Sequence, residues 1–273
     1  MAEGLDLVNQ KIDEQHAEKS AHTRRQLVAG AAATLGGMGL LGFAQSASAA
    51  SPATKETFSK SNTPERILAV AATAEVLATI VNTVGPEKVD LGDAVTLRNV
   101  RAAAREELIH YYTLTGALGA KPLTKKIWVP DAVFADRTSL LSTLEVGDQI
   151  FVNAYLIGTV AFGFAGLGQQ AAIAAEFMGV EAVHRALARQ SLGKLGNDRV
   201  FIKFDRPEGA KDAPNAGQYG FQSINGAVSQ LQAAGFGFGE EGKGEGRFYD
   251  FDDVRKRTPD DPDLNTKTLD TLD

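Results

Sequence analysis

Two Glu-x-x-His pairs, Glu107/His110 and Glu181/His184, stand 74 residues apart in stretches with helical patterning. Residues three apart on a helix share a face, so each pair aims a carboxylate and an imidazole at one point. Two such pairs, joined by one lone carboxylate from each of two further helices, form the ligand set of a dinuclear metal centre held between four helices. The chain supplies both lone carboxylates. Glu75 lies 32 residues before Glu107, and Asp148 lies 33 residues before Glu181. Glu145, one turn before Asp148, is the alternative to it. The chain has no cysteine and four histidines. Any metal is therefore held by oxygen and imidazole, a donor set that suits two Fe or Mn ions. Four carboxylates around two divalent cations come close to charge balance.

Each pair is a weak signal alone, because surface helices contain Glu-x-x-His by chance. Together they are stronger, since the other two histidines, His16 and His22, fall in the leader discussed below. Glu75 carries further weight. It is the only charged residue between Ile67 and Val81, and a carboxylate buried in such a run costs several kcal/mol unless a cation or donors meet it. Glu106 is rotated about 100° from Glu107, which predicts a solvated side chain or one paired with Arg101 or Arg105. Tyr111 and Tyr155 lie near the proposed ligands and are candidates for hydrogen bonds to them, with packing the commoner role for such rings.

The elements that must position these residues are readable from punctuation. Asn62 or Thr63 caps a first helix, with Pro64 in its first turn, that is apolar almost all round and ends near Gly85-Pro86. A second runs from about Asp93 to Leu118 and stops at Gly119. Residues 122–136 form a longer connection containing the only tryptophan, Trp128. A third helix spans about Thr138 to Phe162, and a fourth about Gln169 to Leu192 with Gly193 as its stop. Short loops within each helix pair and a long segment between the pairs predict an all-α fold, a four-helix bundle over 62–195 with one crossover between helices two and three.

Outside the bundle, residues 1–49 carry Thr23-Arg24-Arg25-Gln26-Leu27-Val28, a Gly- and Ala-rich apolar run, and the small-x-small sequence Ala47-Ser48-Ala49. That pattern predicts a twin-arginine export signal and hence a periplasmic or cell-envelope location. Residues 50–61 read as a linker. Residues 196–273 read as an irregular, partly disordered extension with one short helix around 227–232 and no β-sheet of any size. The formal net charge of −6 argues against nucleic acid as a partner. Metal ions, small oxidants and the export machinery are the expected partners, with a homo-oligomer or a storage shell left open.

The residues quoted resemble the ferritin-like domain family that includes bacterial desiccation-related proteins and fungal stress-response relatives. The resemblance covers about 62–189. It is carried by Ala74-Glu75-Val76-Leu77, by Ala104-Arg105-Glu106-Glu107-Leu108-Ile109-His110, by Ala154-Tyr155-Leu156-Ile157-Gly158 and by Val180-Glu181-Ala182-Val183-His184. The family places a glutamate seven residues before its signature tyrosine, where this chain has Asp148, one methylene shorter. The resemblance implies a ferritin-like bundle and metal binding. The redox metals add an expected reaction class: oxidation of Fe(II) or consumption of peroxide in stress protection. The opposing expectation is a non-catalytic structural or interaction protein of the cell envelope with a relic metal site.

Overall fold

The computed structural model describes residues 55–197 and 221–259. The expected export signal at 1–49 and the last residues of the extension lie outside them. Seven α-helices and three strands make up the regular structure here. A short helix α1 (Lys55–Ser61) occupies part of the stretch expected to be linker, and its Phe58 is buried in the core.

Helix α2 (Pro64–Lys88) starts where Thr63 accepts a hydrogen bond from the Arg66 amide at 3.3 Å, with Pro64 in the first turn where its missing N–H costs nothing. It runs past Pro86 instead of stopping at Gly85-Pro86. Gly85 is needed for packing: a Cβ there would lie 2.7 Å from the Leu140 side chain. By length and composition α2 could cross a membrane, but 83% of its apolar window is buried inside the protein. It is the core helix. Ile67, Val70, Val76, Ile80 and Val84 are all buried from it, each such side chain contributing about 1.5–3 kcal/mol relative to exposure.

Helix α3 (Ala94–Tyr112) is capped by Asp93, which accepts from the Thr96 amide at 2.7 Å. It passes into a wider π-type turn over Thr113–Ala117 before Gly119 breaks the chain direction at φ +68°. Helix α4 (Arg137–Phe164) begins at Asp136, which caps the Ser139 amide at 2.7 Å. A three-residue connection, Ala165 to Leu167, leads to α5 (Gly168–Ser191). Helices α2 and α3 form one hairpin and α4 and α5 the other, and the hairpins meet through α2 against α4 and α3 against α5. The helix positions agree with the sequence reading to within a few residues.

The sequence reading expected no sheet, and here it is corrected. The long connection contains β1 (Lys126–Pro130), the central strand of a three-stranded antiparallel sheet with β2 (Gly237–Phe238) and β3 (Gly246–Asp250) on its two edges. Ile127 and Val129 point inward and are fully buried, while Trp128 pairs across to Gly237 and Phe248. The extension is thus ordered over 221–259. Helix α6 (Ile224–Ala233), at the expected place, packs on α2 and α4. Two buried amides fasten it. Asn62 accepts from the Ile224 amide at 2.7 Å and donates to the Gln222 carbonyl at 2.8 Å. Asn153 accepts from the Phe221 amide at 2.7 Å and donates to its carbonyl at 3.0 Å. A short helix, α7 (Phe251–Val254), buries Phe251 completely.

Candidate metal centre

Each of the four long helices brings carboxylate to one buried point. Glu75 comes from the middle of α2, Glu107 and His110 from one face of α3, Asp148 from α4, and Glu181 and His184 from one face of α5. Glu75, Glu107 and Glu181 are fully buried, and His110, Asp148 and His184 nearly so. Their ligand atoms fall into two sets of four: Glu75, Glu107, His110, Glu181; and Glu107, Asp148, Glu181, His184. Within each set all four atoms lie within 4.8 Å of one another. Glu107 and Glu181 belong to both.

The sharing is visible atom by atom. Glu107 places Oε2 at 3.4 Å from His110 Nδ1 and Oε1 at 3.2 Å from His184 Nδ1. Glu181 does the same with Oε1 at 3.3 Å from His110 Nδ1 and Oε2 at 3.4 Å from His184 Nδ1. Each of these carboxylates therefore spans the two imidazoles. Glu75 Oε2 stands 3.7 Å from His110 Nδ1 and serves one end only, and Asp148 takes the corresponding place in the set with His184.

The electrostatics of this arrangement are unfavourable as they stand. Burial and then repulsion from Glu107 raise Glu75 from 4.5 to about 8. Burial also raises Asp148 well above the usual range, with His184 pulling against it. For His110, burial opposes the charged form, yet Glu75, Glu107 and Glu181 outweigh it and raise the imidazole to about 12. His184 is raised too: burial opposes, and Glu106, Glu107 and Glu181 prevail. Both oxygens of Glu107, both of Glu181, Glu75 Oε2 and the two Nδ1 atoms have no hydrogen-bond partner in the protein. Buried polar atoms left so cost several kcal/mol per charged group. Divalent cations would meet these atoms and offset the carboxylate charges, so the buried donor set could hold metal.

Around the cluster, the Tyr155 hydroxyl donates to Glu75 Oε1. Burial foremost, with Glu75 and Glu181, holds that phenol well above its ordinary pKa and keeps it protonated as a donor. Tyr111, the other candidate tyrosine, does not join: its ring packs on Phe251 at 4.4 Å and its hydroxyl faces Lys125. Glu145 belongs to neither set. It is engaged by Arg189 and, at 2.5 Å, by Lys194, which leaves the α4 position to Asp148.

Three neighbours escaped the sequence reading. Glu106 was expected in solvent or against Arg101 or Arg105. Instead its Oε2 meets His184 Nε2 at 2.6 Å, because the rotation that takes it off the Glu107 face turns it toward α5. Burial opposes ionisation of Glu106, but the His184 contact prevails and lowers its pKa. Phe177 stacks on the His110 ring at 3.9 Å and meets Tyr155 edge-on at 5.5 Å. It stands four residues before Glu181, so the helix period alone could have found it. Arg185, buried beside His184, adds a positive field at Asp148. Asp148 and His184 also line a hollow of about 20 Å³ that holds the polar side chains of Asn82, Thr96, Asn99 and Ser191.

The buried Glu and His groups could hold a metal ion and keep bulk water from it. No protein-family model, curated protein or solved structure matches this chain.

Proposed function

We propose that the chain is an exported ferritin-like protein whose four long helices hold a dinuclear Fe or Mn centre. The ions are bound by Glu75, Glu107, His110, Asp148, Glu181 and His184, and the centre oxidises Fe(II) or consumes peroxide in stress protection. One observation carries the reading: Glu107 and Glu181 each divide their two oxygens between His110 and His184. A pair of buried carboxylates so divided is what two adjacent cations require of bridging ligands. The helical architecture and the resemblance carried by the ligand-bearing segments support the ferritin-like assignment, and Arg24-Arg25 with the apolar run after it supports export.

When bound, two Fe or Mn ions supply a two-electron couple, matched to the reduction of one hydrogen peroxide and two protons to two waters. The residues of the chain do the rest. Glu106 fixes the His184 ring through Nε2 and so presents Nδ1 to the cluster. Phe177 limits rotation of the His110 ring. Tyr155 holds a proton at Glu75 Oε1, at the end of the cluster opposite Asp148. The apolar packing of α2 keeps bulk water from the buried carboxylates.

The test is metal content of the purified full chain by mass spectrometry, beside a Glu107→Ala/Glu181→Ala double variant, followed by Fe(II) oxidation and peroxide consumption. About two Fe or Mn per chain, lost in the variant, is the expected result. A folded chain that takes up neither ion would sink the reading and leave a helical scaffold of the cell envelope.

A further inference from the structure

A cavity of about 50 Å³ lies between α2, α4 and α6, walled by Val70, Ala71, Phe151, Ala227 and Leu231 and by the ring of Tyr155. Half-exposed Leu123 stands at its outer side, and buried Tyr155 at its inner side. Its two hydroxyls are already engaged. Thr73 Oγ1 donates to the Ala69 carbonyl at 2.7 Å and accepts from the Leu123 amide at 2.8 Å, and Tyr155 donates to Glu75. Water needs roughly two to four polar partners to settle in such a space, and an apolar cavity without them stays dry and takes up apolar molecules. The space exceeds the roughly 10–15 Å³ that one water requires and suits a molecule of a few atoms.

The other hollow beside the cluster, the one at Asp148 and His184, is smaller and carries polar side chains. The two ends of the cluster thus face hollows of different size and lining: a larger one without a free hydroxyl behind Tyr155 at the Glu75 end, and a smaller one with some polar side chains at the Asp148 end.

We propose that the cavity under α6 is a binding site for a small apolar gas, dioxygen, which reaches the Glu75 end of the cluster past the Tyr155 ring. The inference rests on the dinuclear-centre reading for dioxygen's use at the cluster, while the binding site itself stands on the cavity alone. It also gives the ordered extension a task, because α6 supplies one wall of the site.

The experiment begins with the full chain, free of metal, in crystals pressurised with xenon and in solution by xenon NMR. Xenon is expected between Ala71, Ala227 and the Tyr155 ring, and it should be lost in Ala227→Leu and Ala154→Leu, which fill the space from α6 and from α4. The Fe-loaded variants should keep their metal, react with dioxygen several-fold more slowly than the parent, and react with peroxide at the parent rate. If either variant fails to fold, the other carries the comparison. Absence of xenon from the parent overturns the inference and leaves the metal centre standing. Equal slowing with both oxidants, or no slowing with dioxygen, also overturns it. A parent chain that binds xenon but neither Fe nor Mn would overturn the metal reading and the use of dioxygen with it, leaving only an apolar gas site.

Discussion

Glu106 and His184 meet across α3 and α5 at 2.6 Å, carboxylate to Nε2, and this contact leaves only Nδ1 of His184 to face the cluster. An imidazole whose far nitrogen donates to a carboxylate is fixed in tautomer and orientation and is a stronger ligand. Glu106→Gln should therefore lower metal affinity by about 10–100-fold while leaving the helical content unchanged. A competition titration with a chelating indicator, read beside circular dichroism, checks it. Unchanged affinity would remove Glu106 from any role at the centre.

The division of labour among the carboxylates predicts unequal losses. Glu75 and Asp148 each belong to one set of donors, whereas Glu107 and Glu181 belong to both. Glu75→Ala and Asp148→Asn should each leave about one ion per chain, and Glu107→Ala should leave almost none. Metal-to-protein ratios by mass spectrometry decide this. Equal loss in all three variants would mean that the two ions bind as one cooperative unit.

Proton linkage gives a pair of opposite trends. In the metal-free protein Glu75 is raised from 4.5 to about 8 and His110 from 6.5 to about 12. Between each unfolded and folded value the native chain holds more protons than the unfolded one, so stability falls as pH rises. For Glu75 that window is about pH 4.5 to 8, and for His110 it opens at about 6.5 and continues to 12. The melting temperature of the chelated protein should thus fall from pH 5 toward pH 9. Metal binding displaces the same protons, so affinity should rise over that range. Calorimetry in buffers of different ionisation enthalpy counts the released protons. A chelated protein that gains stability with rising pH would contradict the electrostatic account.

Asn62 gives a prediction far from the metals. Its side chain satisfies the Ile224 amide and the Phe58 and Gln222 carbonyls at 2.7–2.9 Å. Asn62→Ala removes these three hydrogen bonds, at about 1–3 kcal/mol, and loosens α6 from the bundle. Limited proteolysis should then cut near 221–224 well before it cuts α2–α5. A cleavage pattern like that of the parent would show that apolar packing alone holds α6.

The helices and the six clustered side chains were legible because both signals are local. Glu107/His110 and Glu181/His184 are helix-face pairs, Asp93 marks a helix start by its capping carboxylate, and Gly119 and Gly193 mark helix ends by their positive φ. Choosing Asp148 over Glu145 rested on spacing; in the fold Glu145 is drawn off by Arg189 and Lys194, cations from the end of α5 that no periodicity pairs with it. Glu106 was misread because the rotation that removes it from the Glu107 face was taken to lead to solvent, when α5 lies there. The sheet was invisible for another reason. Lys126–Pro130 shows barely one alternation, and its partners lie more than a hundred residues later in a Gly-rich stretch, so no local pattern marks the pairing.

The central place of β1 in that sheet sets an order of events as the chain is made. Both helical hairpins are complete once Ser191 has been synthesised, but the two edges of β1 find their partners only when Gly237–Phe238 and Gly246–Asp250 have followed. The ligand-bearing helices can thus gather while the segment that roofs them is still to come. A chain cut short before Gly237 keeps every proposed ligand and yet presents a strand bare on both sides, a template on which other unfinished chains can pair.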